Sequence, residues 1–382
     1  MDFTIRDEDR AVVDLARTIL ADHTSNEHLR ELETAGATHD PELWQALADA
    51  SLLATAIPED CGGMGLGFMA LAMLMQEAGR TVAPVPLYPA LVLGALPLAF
   101  SNREDLKQEW LPQIARGERI VTTALTEIET SDPLRPVTRA ERSGDGYRLT
   151  GVKTSVPSAL QASHVIVPAL VDDGSTGLFA IEVESGAGAH PGVELSAQET
   201  SDGRPHARLS LEGVEAGDSA RLDRGGEGAA LLARIVEHAT AARCMMQLGV
   251  TERALEMTAS YARERVQFDR PIGSFQAVHQ RAADAYIHVE AIRLSALEAS
   301  WRLSCGMPAT DQVAVAKYWA AEGGHHASYA FQHLHGGIGI DIDYPLHRHF
   351  KWAIQIEHEL GSARHQLEHL GRRIAANGLP AD

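Results

Sequence analysis

The chain has 382 residues and carries 33 Lys and Arg against 52 Asp and Glu, a formal net charge of −19. That balance argues against a nucleic-acid partner, because phosphate binding needs a concentrated basic surface, and it makes any anion site a local feature. Three widely spaced cysteines, Cys61, Cys244 and Cys305, argue against a disulfide framework. No charged-then-apolar leader precedes Asp2 to Asp9, and apolar runs such as Ala90 to Phe100 are interrupted and too short to span a bilayer. The expectation is a cytoplasmic protein with no membrane partner.

Residues 1–118 read mainly as helices. "DEDRAVVDLARTILAD" and "PELWQALADASLLATA" carry the helical period, and "MALAMLMQEAGR" reads as a buried helix after the glycine-rich loop "IPEDCGGMGLGF". From about Ile120 the period changes to two. "RIVTTALTE", "YRLTGVKTSV", "SHVIVPALV", "GLFAIEV" and "ARLSLEGVEA" predict short strands separated by Gly, Asp and Ser turns. From Gly226 the helical period returns. The predicted fold class is α+β, mainly α: an N-terminal helical domain (1–118), a middle antiparallel β-barrel-like domain (119–225) and a C-terminal helical bundle (226–382).

Within the last segment, Met246, Val250, Ala254, Met257 and Tyr261 form one apolar stripe, and Phe275, Val278, Ala282, Ala285, Val289 and Ile292 form the next. Pro271 and Gly273 break the chain between them, and Ser274 is placed as an N-cap. Arg263, Arg265, Arg270 and Arg281 surround the break, so the spacing predicts a helix end, a cationic turn and a helix start able to receive an anion. Taken alone, an Arg at a helix end often only compensates the helix dipole, and a Gly-Gly pair is usually a helix stop.

Two stretches together carry a resemblance that covers nearly the whole chain. "RVQFDRPIGSFQAVHQRAAD" and "HLHGGIGIDIDYPLHRHF" are similar to the two C-terminal signatures of the acyl-CoA dehydrogenase family, whose three-part order also matches. The resemblance implies FAD at a subunit interface, with the β module of one subunit on the flavin ring and the arginine turn and double glycine of a neighbour on the diphosphate and adenosine. It assigns Arg265, Gln267, Phe268, Gln276, His333, Gly336 and Gly337 to cofactor binding. An acyl-CoA thioester is then the substrate and an electron-transfer flavoprotein or similar acceptor a partner.

The family's reaction needs a carboxylate to remove the α proton while the β hydrogen leaves as hydride to the flavin. The position such enzymes usually give to the Glu, just before Gly361 and Ser362, holds Leu360, and the alternative position on an earlier helix, found from Gly249, holds Ala239. Neither takes a proton. The ring-side loop is "TEIETSDP", which keeps Glu127, Ser131 and Asp132 but lacks the family's glycines. "KTSVPSA" has Ser155 and Pro157 where a Trp and a hydroxyl residue are expected. His333 stands where a Gln is usual, with Gln332 beside it.

Loss of base and ring-side positions beside retained neighbour-facing ones implies a mixed assembly, a hetero-oligomer and by expectation a tetramer, in which a homologous catalytic subunit carries the base. Such members are associated with steroid side-chain degradation in actinobacteria, so the implied substrate is a steroid-type CoA thioester. The alternative is a homotetramer whose base is Glu357 or Glu359. "HQLEH" at His365 to His369 fits an inverted zinc-peptidase pattern but reads as a polar helix, and His325 and His326 read as helix residues, so no metal is expected. A scaffold without flavin is the remaining reading.

Overall fold

The computed structural model describes residues 6–183, 190–223 and 226–378. Its helices before the sheet are α1 (Asp7–His23), α2 (Asn26–Thr34), α3 (Pro41–Asp49), α4 (Phe68–Arg80), a buried π-helical segment (Tyr88–Ala95) running into α5 (Leu96–Phe100), and α6 (Glu104–Ala115). Seven strands follow: β1 (Val121–Thr123), β2 (Arg139–Ser143), β3 (Gly146–Pro157), β4 (His164–Val171), β5 (Thr176–Glu182), β6 (Val193–Gln198) and β7 (His206–Gly217). The chain then forms α7 (Gly228–Glu264), a small hairpin of β8 (Val266–Gln267) and β9 (Arg270–Pro271), α8 (Gln276–Ser304), α9 (Thr310–His335), α10 (Leu346–His358) and α11 (Ala363–Asn377). The predicted order of helices, β module and helices is present. Among the described residues no helix is long and apolar enough to cross a membrane.

The chain divides into two compact units, Met1–Ala37 with Ala72–Ala83 and Thr240–Asp382, and Thr38–Leu71 with Pro84–Ala239. In the second unit the sheet runs β1-β4-β2-β3-β7-β6, with β5 on the free side of β4. Val165, Val167, Leu149, Leu209, Leu211, Phe179 and Ile181 fill its core. Antiparallel pairing holds for most of it, but β4 runs parallel to both β1 and β2. Alternation specifies which face of a strand is buried and carries no information on the direction of its partner. That is why the pattern alone missed the two parallel pairings.

In the first unit, α8 and α9 form a helical hairpin with α10 and α11 packed on α9. Helices α4 and α7 meet at two glycines. A Cβ on Gly249 would lie 1.9 Å from the carbonyl oxygen of Gln76, and one on Gly79 would lie 2.2 Å from that of Met246. Both stripes read from the sequence are present, with Met246, Val250, Ala254 and Met257 buried on α7 and Ala285, Val289 and Ile292 on α8. Ser274 is not the N-cap. Phe275 occupies that position without a capping bond, and the Ser274 hydroxyl donates instead to Pro271 O at 2.7 Å.

Candidate functional site: a phosphate-side half of a flavin site

The break between α7 and α8 is a hairpin rather than a plain turn. Val266 pairs with Pro271 and Gln267 with Arg270, and Ile272 N donates to Arg265 O at 2.8 Å. Its two tip residues, Phe268 and Asp269, have φ of 54° and 61°. Left-handed φ at both central positions is the requirement of the tight turn that matches strand twist, and it is ordinarily met by Asn and Gly. Phe268 is 87% exposed and Val266 52% exposed, so the hairpin holds apolar side chains in solvent at a conformational cost. Phe275 anchors its base: Arg270 sits over that ring at 4.2 Å and Phe268 meets it edge-on at 6.2 Å. Gln267 is exposed and its side-chain amide donates to Val266 O. Arg265 is exposed, and among the described residues its guanidinium has no hydrogen bond or ion pair.

The second signature forms a turn at the end of α9. Gly336 has φ 64° and ψ −141°, a region open to glycine alone, and nothing lies within 4 Å of a Cβ built on Gly336 or Gly337. Both therefore present bare backbone to open space. His333 is exposed beside them, as is Gln276 at the first turn of α8. Gln332 is turned away, because its Oε1 lies 2.2 Å from where a Cβ of Gly339 would stand, so it does not replace the usual glutamine. Beneath the turn, His335 stacks on Tyr261 at 4.5 Å and pairs with the Tyr344 hydroxyl at 3.1 Å. Burial lowers the His335 pKa, with the Phe331 carbonyl opposing. The neutral ring is the tautomer-defined post on which the turn rests.

At the end of α10 the candidate bases are already engaged. Arg243, 1% exposed, has Nε 2.5 Å from Glu359 Oε2. Its N–H is not aligned on that oxygen, so the contact is chiefly Coulombic. Glu357 Oε2 accepts from His325 Nδ1 across 3.1 Å. Lys317, fully buried, donates to Ile356 O and Glu357 O at 2.8 and 3.0 Å, closing the end of α10 as a cationic cap. Burial pushes its pKa down to about 8, and pushes the Cys244 thiol up to about 12. Leu360 follows in a left-handed conformation, φ 55°, before Gly361 at φ 95°. Ala239 is fully buried and its carbonyl accepts from Tyr88 Oη at 3.3 Å.

In the β module the ring-side loop is built around a buried ion pair. Lys153 Nζ lies 2.7 Å from Glu127 and donates to Pro168 O. Burial brings the Lys153 pKa to about 8 against the pull of Glu127. Burial opposes ionisation of Glu127 too, but the Lys153 charge and the Thr138 and Val137 donors hold its carboxyl below the usual range. Glu127 is thereby consumed inside the module. Ser131 and Asp132 lie in an exposed loop, with Ile128 70% exposed beside them. Ser155 sits at a strand irregularity with φ 49° and its N–H bound to Gln198 Oε1. No aromatic face is offered there.

Glu368 and His365 of the metal pattern are otherwise occupied. Glu368 is shared by Arg364 and Arg372 on an exposed face, and His365 pairs with Ser362. His326 pairs with Glu322 along α9. All three cysteines are free.

An unpaired arginine on a hairpin and a bare Gly-Gly turn, set in helices that bracket a β module, define a flavoprotein dehydrogenase of the acyl-CoA type. Residues 6–118 match the family model for the acyl-CoA dehydrogenase N-terminal domain and residues 226–375 that for the C-terminal domain; the chain belongs to the acyl-CoA dehydrogenase family. It is 40% identical to acyl-CoA dehydrogenase FadE27 of Mycobacterium tuberculosis, over 98% of this chain and 99% of that one. It is 32% identical to FadE28 of the same organism at the same coverage. Its fold superposes on a chain of the ChsE4-ChsE5 complex from Mycobacterium tuberculosis with TM-score 0.92 and 39% identity over 100% of both chains. A variant of the steroid acyl-CoA dehydrogenase Tcur3481-Tcur3483 gives 0.88 and 41%, over 97% of this chain and 98% of that one.

FAD is the cofactor of this family, and the residues present fit one side of it. Arg265 supplies an unpaired charge-assisted donor, and Gly336 and Gly337 leave the room that a phosphate approaching backbone requires. The ring side does not fit in the same way: Glu127 is closed into its pair with Lys153, and Ser155 has no surface for stacking.

Proposed function

We propose that this chain is the base-less subunit of a heteromeric acyl-CoA dehydrogenase and completes, from across a subunit interface, the FAD site of a homologous catalytic partner. The observation that carries this reading is the contrast within one chain. The phosphate-side elements are intact and face outward, whereas the base positions are Leu360 and Ala239 and the fallback Glu359 is neutralised by buried Arg243. Cofactor binding is assigned to Arg265, Gln267, Phe268, Gln276, His333, Gly336 and Gly337. Arg265 holds the diphosphate, the glycines admit it, and Phe268 and Gln267 cover the adjacent surface. When bound, the flavin supplies the hydride acceptor.

The division 1–118, 119–225 and 226–382 gives each segment its part, with the last one serving the neighbour. A hetero-tetramer, a steroid side-chain CoA thioester, an electron-transfer flavoprotein as acceptor and a cytoplasmic location belong to the same reading. Its support is the likeness to chains of the ChsE4-ChsE5 complex and of the steroid dehydrogenase Tcur3481-Tcur3483. A homotetramer using Glu357 is the second reading, favoured by the His325 contact that places one carboxylate outside the Arg243 pair. Purifying the chain alone and together with a homologous partner, then assaying acyl-CoA oxidation, separates the two. Activity confined to the mixture supports the heteromer, and activity of the lone chain overturns it.

A further inference from the structure

In the first compact unit lies a cavity of about 440 Å³ whose wall carries Arg17, Arg80, Arg253 and Arg348, with Glu77 as the one carboxylate lining it among the described residues. A volume of that size suits an organic ligand and is larger than an inorganic ion needs. The guanidiniums are held by carboxylates in different ways. Arg17 is paired bidentately with Glu77, and Arg348 with Glu33, which approaches from outside the cavity. Arg80 gives Nη2 to Glu256 and sets Nη1 3.9 Å from Glu252, and Arg253 gives only Nη1 to Glu256, at 3.2 Å. Among the described residues no hydrogen bond uses Arg80 Nε or the Nε and Nη2 of Arg253. These are charged donors in a concave wall, the arrangement that carboxylate recognition uses.

Two helix starts add to the field. Ser25, the N-cap of α2, and Pro345, which precedes α10 without a side-chain cap, both line the cavity, so their first-turn N–H groups contribute positive potential. His349 also lines it. Burial takes its pKa down to about 4, so it is neutral at physiological pH and adds no charge to the wall. The remaining wall is apolar, from Ala21, Leu29, Val82, Met257 and Pro345. A bare phosphate would leave that part uncovered, and a neutral lipid would leave the arginine donors unanswered.

We propose that this cavity binds an amphipathic organic carboxylate, with the carboxylate on Arg80 and Arg253 and the alkyl body against Leu29, Val82 and Met257. Its lining includes neither Arg265, Gly336 and Gly337 nor Glu357 and Glu359.

The probes are sodium octanoate, 1-octanol and inorganic phosphate, titrated calorimetrically into the full-length chain. The expected result is saturable octanoate binding near one per chain, with octanol and phosphate at least about tenfold weaker, and an octanoate affinity reduced about tenfold or more by Arg253→Gln. Arg253 is half-exposed and pairs with the exposed Glu256, so the variant keeps its fold; an unchanged unfolding midpoint without ligand checks this. Arg80→Gln is the second variant, with the same expected loss. Equal binding of octanol would reduce the cavity to an apolar hole, equal binding of phosphate would make it an inorganic-ion site, and octanoate binding untouched by either variant would place the ligand elsewhere. Each of these overturns the proposal, as does the absence of saturable octanoate binding.

Discussion

Arg243 Nε and Glu359 Oε2 stand 2.5 Å apart, the arginine side chain 1% exposed and the glutamate 16%. A carboxylate held against a buried guanidinium is stabilised in its charged form and is poorly placed to collect a proton from a substrate. Glu359→Gln should therefore lower stability, by about 3 kcal/mol, because it leaves Arg243 buried without its counter-charge. The rate per folded complex should be unchanged. Urea unfolding and an assay normalised to folded protein measure the two effects separately.

Glu357 is held by His325 and not by a buried guanidinium, so Glu357→Gln tests the displaced-base alternative without unpairing Arg243. The account expects the rate of the assembled enzyme to stay within about twofold of wild type. Removing a true general base lowers a rate by about two to four orders of magnitude. Steady-state kinetics of the complex distinguish these outcomes easily.

Arg265→Ala should weaken FAD retention in the assembled protein by about 1.5 to 3 kcal/mol, the worth of one charge-assisted hydrogen bond. The fold should be unaffected, since the side chain is exposed and unpartnered among the described residues. Flavin content after gel filtration measures it. Unchanged retention would reduce Arg265 to a compensator of the α7 dipole.

The hairpin tip offers a test of why strain is kept there. Asp269→Gly relieves one left-handed non-glycine residue and should stabilise the chain by up to about 1 kcal/mol while leaving FAD retention intact. Phe268→Gly relieves the same kind of strain but should cost retention, because Phe268 covers the cofactor surface in the proposed assembly. Thermal midpoints and flavin content of the two variants, measured together, separate strain from contact.

Lys317 gives a pH signature. Its folded pKa of about 8 lies below the ordinary lysine value of 10.5. Below about pH 8 both folded and unfolded chains carry the proton, and the fold bears the full cost of a buried charge. Between about 8 and 10.5 only the unfolded chain binds it, so this residue makes stability rise with pH across that window. Lys317→Met lacks that rise. Denaturant midpoints at about pH 7.5 and 9.5 should show wild type gaining on the variant at the higher pH; a constant difference would mean that Lys317 titrates normally.

Periodicity made the large elements legible. The continuous apolar run "VIVPALV" became the central strand β4, buried along nearly its whole length, and the α7 and α8 stripes lie where the three- and four-residue steps put them. The hairpin was not legible, because its tip carries Phe268 and Asp269 in place of the Asn and Gly that announce such a turn. Ser274 looked like a cap, but its hydroxyl found the nearer Pro271 carbonyl. The motif residues Arg265, Gly336 and Gly337 could be found from the sequence because their chemistry is local. Arg243 and Lys317 could not, since what gives them meaning is the end of α10, which is distant in sequence from both and which no local pattern announces.

Flavin counting tests the central claim most directly. Purified complex of this chain with its catalytic partner, quantified by flavin absorbance against total protein, should hold one FAD for every two chains, and this chain alone should retain little. A homotetramer of this chain with one FAD per subunit that oxidises an acyl-CoA would contradict the account.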